Sequence, residues 1–181
     1  MAKWLKRLGK EKACWWLAVF VVSWIVCDGC LHKDYIIILV AAHVKGSKGC
    51  SIPNWMEDVL RFLLGNEVYV WSEIRQKEEW NKPIAYMRIS RKKDRLLFGK
   101  FLTPHVSEKC GLDEKEDNDD DEEKAEENKV GNHGTGFMPY YKWNALVRLE
   151  ELYYAEGGDP NCQPDNEGAW EKLISLDPTS W

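Results

Sequence analysis

Residues 12–34 read KACWWLAVFVVSWIVCDGCLHKD, and the role given to this stretch decides where everything after it is placed. Ala13 to Cys27 carries no charge, while Lys3, Lys6, Arg7, Lys10 and Lys12 stand ahead of it against the single acid Glu11. A helix of these fifteen residues spans about 22 Å, short of the roughly 30 Å hydrocarbon slab of a bilayer. It matches the upper end of a secretory h-region, about 7–15 residues. Cys27 and Gly29 are small residues flanking Asp28, as a cleavage after Gly29 requires. The basic front places the amino terminus on the cytosolic side. Residues 1–29 are therefore expected to be a signal peptide or signal-anchor, with residues 13–27 entering the membrane if uncleaved. Trp4, Trp15, Trp16 and Trp24 favour the anchor, because indole rings settle at headgroup depth. The competing reading is a helix buried in the domain's own core.

Export has a consequence for sulfur. With Cys14 and Cys27 assigned to the apolar run, Cys30, Cys50, Cys110 and Cys162 remain, an even number that allows three pairings. An oxidising compartment makes these four disulfide candidates. None of the four is spaced as CxxC, so a zinc site is poorly supported and no metal is expected. The chain has no Asn-x-Ser/Thr sequon, so glycosylation offers no separate check on export.

The 181 residues allow one ordinary domain with appendages, and ten tryptophans are many for that length. The net charge of −5 conceals an imbalance: residues 113–127 carry eleven acids against Lys115 and Lys124. What remains is only mildly basic, so nucleic acid is not expected as a partner. The acidic run has too little apolar content to offset the entropy of ordering it, and residues 111–134 are assigned as a disordered linker. It lacks the glycine and spaced ligands of a calcium loop. GNHGTGF after it is a joint rather than a phosphate loop, and His133 is a loop residue.

Between leader and linker, residues 30–110 are expected to form an α/β or α+β core domain. DYIIILVAAHV (34–44) is too short to span a membrane and reads as a buried strand, with His43 as a packed residue near its end. After the loop KGSKGCS comes a helix. Asn54 is suited to its cap, and Met56, Val59, Leu60, Leu63 and Leu64 form one apolar stripe that stops at Gly65. EVYVWSEI (67–74) alternates as a strand. Strand, helix, strand favours a right-handed βαβ unit with parallel strands. PIAYMRIS and RLLFGKFL, split by RKKD, are expected to make a β-hairpin with Pro83 opening its first strand. Arg88, Arg91, Lys92, Lys93 and Arg95 gather there, either as a solvated tip or as a patch for an anionic partner, the chain's own acidic run included.

Residues 135–181 form a C-terminal helical segment. The helix over 139–158 presents Trp143 and Tyr153 on a broad apolar face, which packs back on the sheet or docks on another protein. A shorter helix lies near 167–175, and Cys162 falls in turn-rich sequence where a disulfide would tie down a loose end.

The one chemical constellation is Cys50 between a glycine-containing loop and a helix start, whose positive end lowers a thiol pKa. With Cys50 and Pro83 in place, the order of elements across residues 35–155 resembles an abbreviated thioredoxin-type fold. In that family a proline opens the strand beside the redox cysteine. The resemblance is topological: CSIP is not CxxC, and the segment from Ile74 to Pro83 is too short for the helix the family has there. It implies a thiol oxidoreductase using Cys50 as the alternative reading. No catalytic triad, metal triad or dinucleotide fingerprint is present. The leading expectation is an extracytosolic, secreted or membrane-anchored protein that is non-enzymatic and works through protein–protein contacts, without a cofactor. Its partner would be a protein or a membrane complex.

Overall fold

The computed structural model describes residues 2–32, 34–41, 52–76, 83–110 and 140–175. Among them the chain is a mixed α+β structure with six helices and one four-stranded antiparallel sheet. Helix α1 (Ala2–Leu8) and helix α2 (Lys10–Asp28) are joined at Gly9, whose φ of 77° lies in the left-handed region that glycine enters freely. Strand β1 (Gly29–His32), strand β2 (Tyr35–Ala41), helix α3 (Ile52–Leu64), strand β3 (Trp71–Arg75) and strand β4 (Ile84–Ile89) follow. Helices α4 (Lys92–Cys110), α5 (Tyr140–Ala155) and α6 (Ala169–Ser175) complete the order.

The sheet order is β1-β2-β4-β3, and each neighbouring pair is antiparallel. Strands β2 and β3, on either side of α3, therefore run in the same direction, but β4 lies between them. The adjacent parallel pair expected of a βαβ unit is replaced by a split one. This also removes the parallel neighbours on which the thioredoxin-type resemblance rested. The predicted β-hairpin is corrected as well: RLLFGKFL is part of α4. Leu97, Phe98, Phe101 and Leu102 recur at four-residue spacing, and short apolar runs of this kind are ambiguous between strand and helix. Cys50 and His43 lie outside the described residues.

Registry divides the sheet into two faces. Leu31, Ile36, Ile38, Val40, Ala85, Met87 and Ile89 alternate onto one face and are buried. Helices α2 and α3 pack on β2. The apolar stripe of α3 is buried as its spacing requires, with Met56, Val59, Leu60, Leu63 and Leu64 all in the core.

Helix α2 is where the opening stretch resolves. Ala13, Leu17, Ala18, Val21, Val22 and Ile25 line one side of it and are buried in the same cluster as the sheet. Trp24 Nε1 donates to the Leu39 carbonyl at 2.7 Å, pinning α2 to β2. No described helix is long and apolar enough to cross a membrane. The end of α2 is closed by a residue far away in sequence. The Lys142 ammonium, on α5, donates to the carbonyls of Ile25 at 3.1 Å, Val26 at 2.5 Å and Gly29 at 3.0 Å. The last carbonyls of a helix have no intrahelical partner and carry partial negative charge, so a cation there satisfies both needs. Burial pushes the Lys142 ammonium below its usual range, and the neighbouring Cys30, Cys27 and Asp28 oppose that shift. The core cluster runs from Leu5 to Leu173, so residues assigned to the leader, the central domain and the C-terminal segment share it. Helix α5 packs chiefly on α4 and touches the sheet at β1.

Candidate functional site

The second sheet face collects side chains that the sequence scatters over three strands. Trp71, Glu73 and Arg75 of β3, Tyr86 and Arg88 of β4, and Tyr35 of β2 share it by registry. Its β4–β3 half is exposed: Trp71 is 40% accessible, and Arg75 and Arg88 face solvent. The guanidinium of Arg75 lies 4.6 Å above the Tyr86 ring and that of Arg88 lies 4.9 Å above Tyr35. Such stacking holds a cation by the ring quadrupole while leaving its edge free to donate. Arg75 already pairs with Glu73 at 2.6 Å, whereas among the described residues no acid pairs with Arg88. Strand β3 is also an edge strand, hydrogen-bonded to β4 alone among the described strands. Ile74, on the core side of β3, is nonetheless 60% exposed.

The basic residues foreseen together are separated by the turn into α4. Arg88 belongs to the sheet face. Arg91 Nε pairs with the buried Asp94 at 2.7 Å, its other nitrogen donates to the Glu67 carbonyl, and its guanidinium lies 5.2 Å above the Tyr69 ring. Asp94 also accepts from the Tyr69 backbone N–H at 3.0 Å, so it ties the approach to β3 onto the start of α4. Lys92 pairs with Glu156 at 2.5 Å and Lys93 with Glu67 at 3.0 Å. Arg95 is half-buried, and its Nε makes no hydrogen bond among the described residues. Three of the five expected anion-binding cations thus have acids of their own close by.

Trp143 is half-buried against the core and Tyr153 is buried, so neither forms an open docking face. Tyr153 donates its hydroxyl to the Asp159 carbonyl at 2.9 Å, and Lys100 closes the same corner through Tyr154 Oη at 3.0 Å and the Pro160 carbonyl at 2.8 Å. Burial, with the Cys162 thiol alongside, pushes the Tyr153 phenol up to about 12. The folded chain therefore holds this proton more tightly than the unfolded one. The stabilisation is complete below the ordinary tyrosine value near 10 and is lost as pH rises from there toward about 12. Tyr153→Phe should flatten the fall in stability over that interval in urea melts. A variant whose alkaline limb follows the parent's excludes this group as the cause.

Pro83 is half-buried immediately before β4, and Cys50, expected beside it, lies outside the described residues. Among the described cysteines, Cys14, Cys27, Cys30 and Cys162 are all free, so Cys30 and Cys162 are not joined to each other. Pairings with Cys50 or through the Cys110 thiol fall outside what is described. Cys27-Asp-Gly-Cys30 has the CxxC spacing, although in sequence Cys27 belongs to the uncharged run. The structure puts this pair at the end of α2, with Cys27 exposed and Lys142 near both. Among the described residues no group of three or more His, Cys, Asp or Glu side chains is placed to hold a metal ion.

A second surface lies at the α1–α2 corner, where Trp4, Trp16, Leu17, Phe20 and Trp55 line an apolar groove of about 380 Å³. Comparison of the chain with protein-family models, curated proteins and solved structures gives no match, so the function is argued from these surfaces alone.

Proposed function

We propose that this chain is a non-enzymatic binding protein that takes an extended, acidic segment of a partner protein along β3 and across the sheet face beside it. The observation that carries the reading is the half-face where exposed Trp71, Arg75 and Arg88 surround the half-buried Tyr86 at an edge strand. An edge offers unpaired backbone donors and acceptors to an incoming strand. Tryptophan, tyrosine and arginine are the residue types that dominate binding hot spots. The Arg88 guanidinium sets the sign of the partner, because its fork suits a carboxylate and no described acid pairs with it, whereas the fork of Arg75 is already engaged by Glu73. Both guanidinium groups also lie over the tyrosine rings, where a nucleobase would need to stack, and so favour a peptide over a single-stranded nucleic acid.

The probe is a synthetic peptide of alternating glutamate and valine, with its lysine–valine counterpart as control, titrated into the labelled full chain. Amide shifts should move along Trp71–Arg75 for the acidic peptide only. Trp71→Ala and Arg88→Glu should each weaken binding about tenfold, the size of an ordinary hot spot. Equal binding of the two peptides, or shifts confined to other elements, defeats the proposal. Tighter binding of a single-stranded oligonucleotide through the same residues would reassign the face.

A further inference from the structure

The geometry points to a second function at the amino-terminal end of the sequence: the α1–α2 corner docks on an anionic lipid surface, lying at the headgroup level without crossing the bilayer. Trp4 and Trp16 are each 46% exposed, with ring centroids 6.2 Å apart and edge-on, and Trp15 packs 4.8 Å from Trp16. Large indoles this open to solvent are unusual beside a well-filled core. Behind them the groove continues to Leu17, Phe20 and Trp55. Phe20 lies 5.7 Å from Trp55, so its floor is packed.

Charge decides the occupant. Lys3, Lys6, Arg7, Lys10 and Lys12 are all exposed. Among the described residues no ion pair engages any of them. Helix spacing puts Arg7 one turn beyond Trp4 and Lys12 one turn before Trp16, so a cation flanks each exposed indole. Four of these five cations are lysines, a residue depleted in protein–protein interfaces. Lysine clustered beside tryptophan on a helix surface is what the interface of an anionic bilayer attracts: the ring sits among the headgroups and the ammonium meets the phosphates and carboxylates. The buried side of α2 faces the protein core, so only its rim and α1 are available to lipid. This explains how a segment so apolar can belong to the core and still carry a basic, tryptophan-rich margin.

The test is flotation of the full-length chain with vesicles of phosphatidylcholine alone and of phosphatidylcholine with three-tenths phosphatidylserine. The chain should float with the anionic vesicles only, and less as salt rises. Trp4→Ala combined with Trp16→Ala, and separately Lys3→Glu with Lys6→Glu and Lys10→Glu, should each cut the bound fraction about tenfold. Unchanged thermal melts will verify that the fold is intact. Trp71→Ala, on the sheet face, should float as the parent does, which separates this inference from the peptide-binding proposal. Equal recovery with neutral vesicles, no recovery with either, or undiminished flotation of the tryptophan variant overturns the inference. So does a shift from dimer to monomer on Trp4→Ala without any vesicle binding, which would give the corner to a second copy of this chain.

Discussion

Removing residues 2–28 should leave a chain that does not fold. The deletion strips Leu5, Leu17, Val21, Val22 and Ile25 from the core along with Ala13 and Ala18, all of them buried. Each of the larger side chains contributes about 1.5–3 kcal/mol by burial. Their sum rivals the whole net stability of a typical domain, about 5–15 kcal/mol. The loss also exposes the face of β2 that α2 covers and leaves Lys142 without its three carbonyl acceptors. Far-UV circular dichroism with thermal scanning, and amide dispersion by NMR, should show no cooperative transition for the truncated chain. If that chain melts cooperatively instead, residues 1–29 are dispensable to the fold and the leader reading regains its place. The intact mass of the native protein provides the companion measurement, and we expect it to begin before Lys10.

The second large effect is expected at Gly99. A Cβ added there would meet the backbone nitrogen of Glu150 at 2.5 Å and the carbonyl carbon of Leu149 at 2.6 Å. Both are main-chain atoms of α5, so no side-chain rotation relieves the contact, and α4 must move away from its principal partner. Gly99→Val should cost about 3 kcal/mol or more, at the upper end of overpacking effects. For a chain of this length that is roughly 6–12 °C in melting temperature. Asn144→Val, on the exposed side of α5, serves as control and should stay within about 0.5 kcal/mol. Similar melts for the two variants would mean that α4 and α5 do not approach as closely as described.

Local signals were legible wherever a single element carries its own pattern. The stripe on α3 stops at Gly65, β2 begins one residue into its expected run and α5 starts one residue after Pro139; α3 itself begins at Ile52, so Asn54 lies inside the helix it was expected to cap. Helix α4 was not legible. Its apolar residues come as a run of three, Leu96 to Phe98, and a pair, Phe101 and Leu102, which suit a strand or a helix, and nothing in the sequence marks Gly99 as the contact with α5. The strand order was not legible either. Pairing is non-local, and nothing between Tyr35 and Ile89 states that β4 enters between β2 and β3. The sheet-face site inherits that difficulty: Tyr35, Trp71, Arg75, Tyr86 and Arg88 become neighbours only through the registers of three strands. The Trp4–Trp16 corner was half visible, since the tryptophans and lysines were counted but assigned to a segment leaving the fold.

By itself, then, the amino-acid sequence determined that residues 13–27 form an uncharged helix behind a basic front, and that an amphipathic α3, a buried β2 and a long C-terminal helix follow. It did not determine what surrounds that first helix. A bilayer and a protein core are both apolar media, and an uncharged run satisfies either one. The tertiary structure surrounds this helix with protein and gives its polar groups protein partners. The Leu39 carbonyl receives the Trp24 indole. The closing carbonyls of α2 are met by the ammonium of Lys142, more than a hundred residues further along the chain.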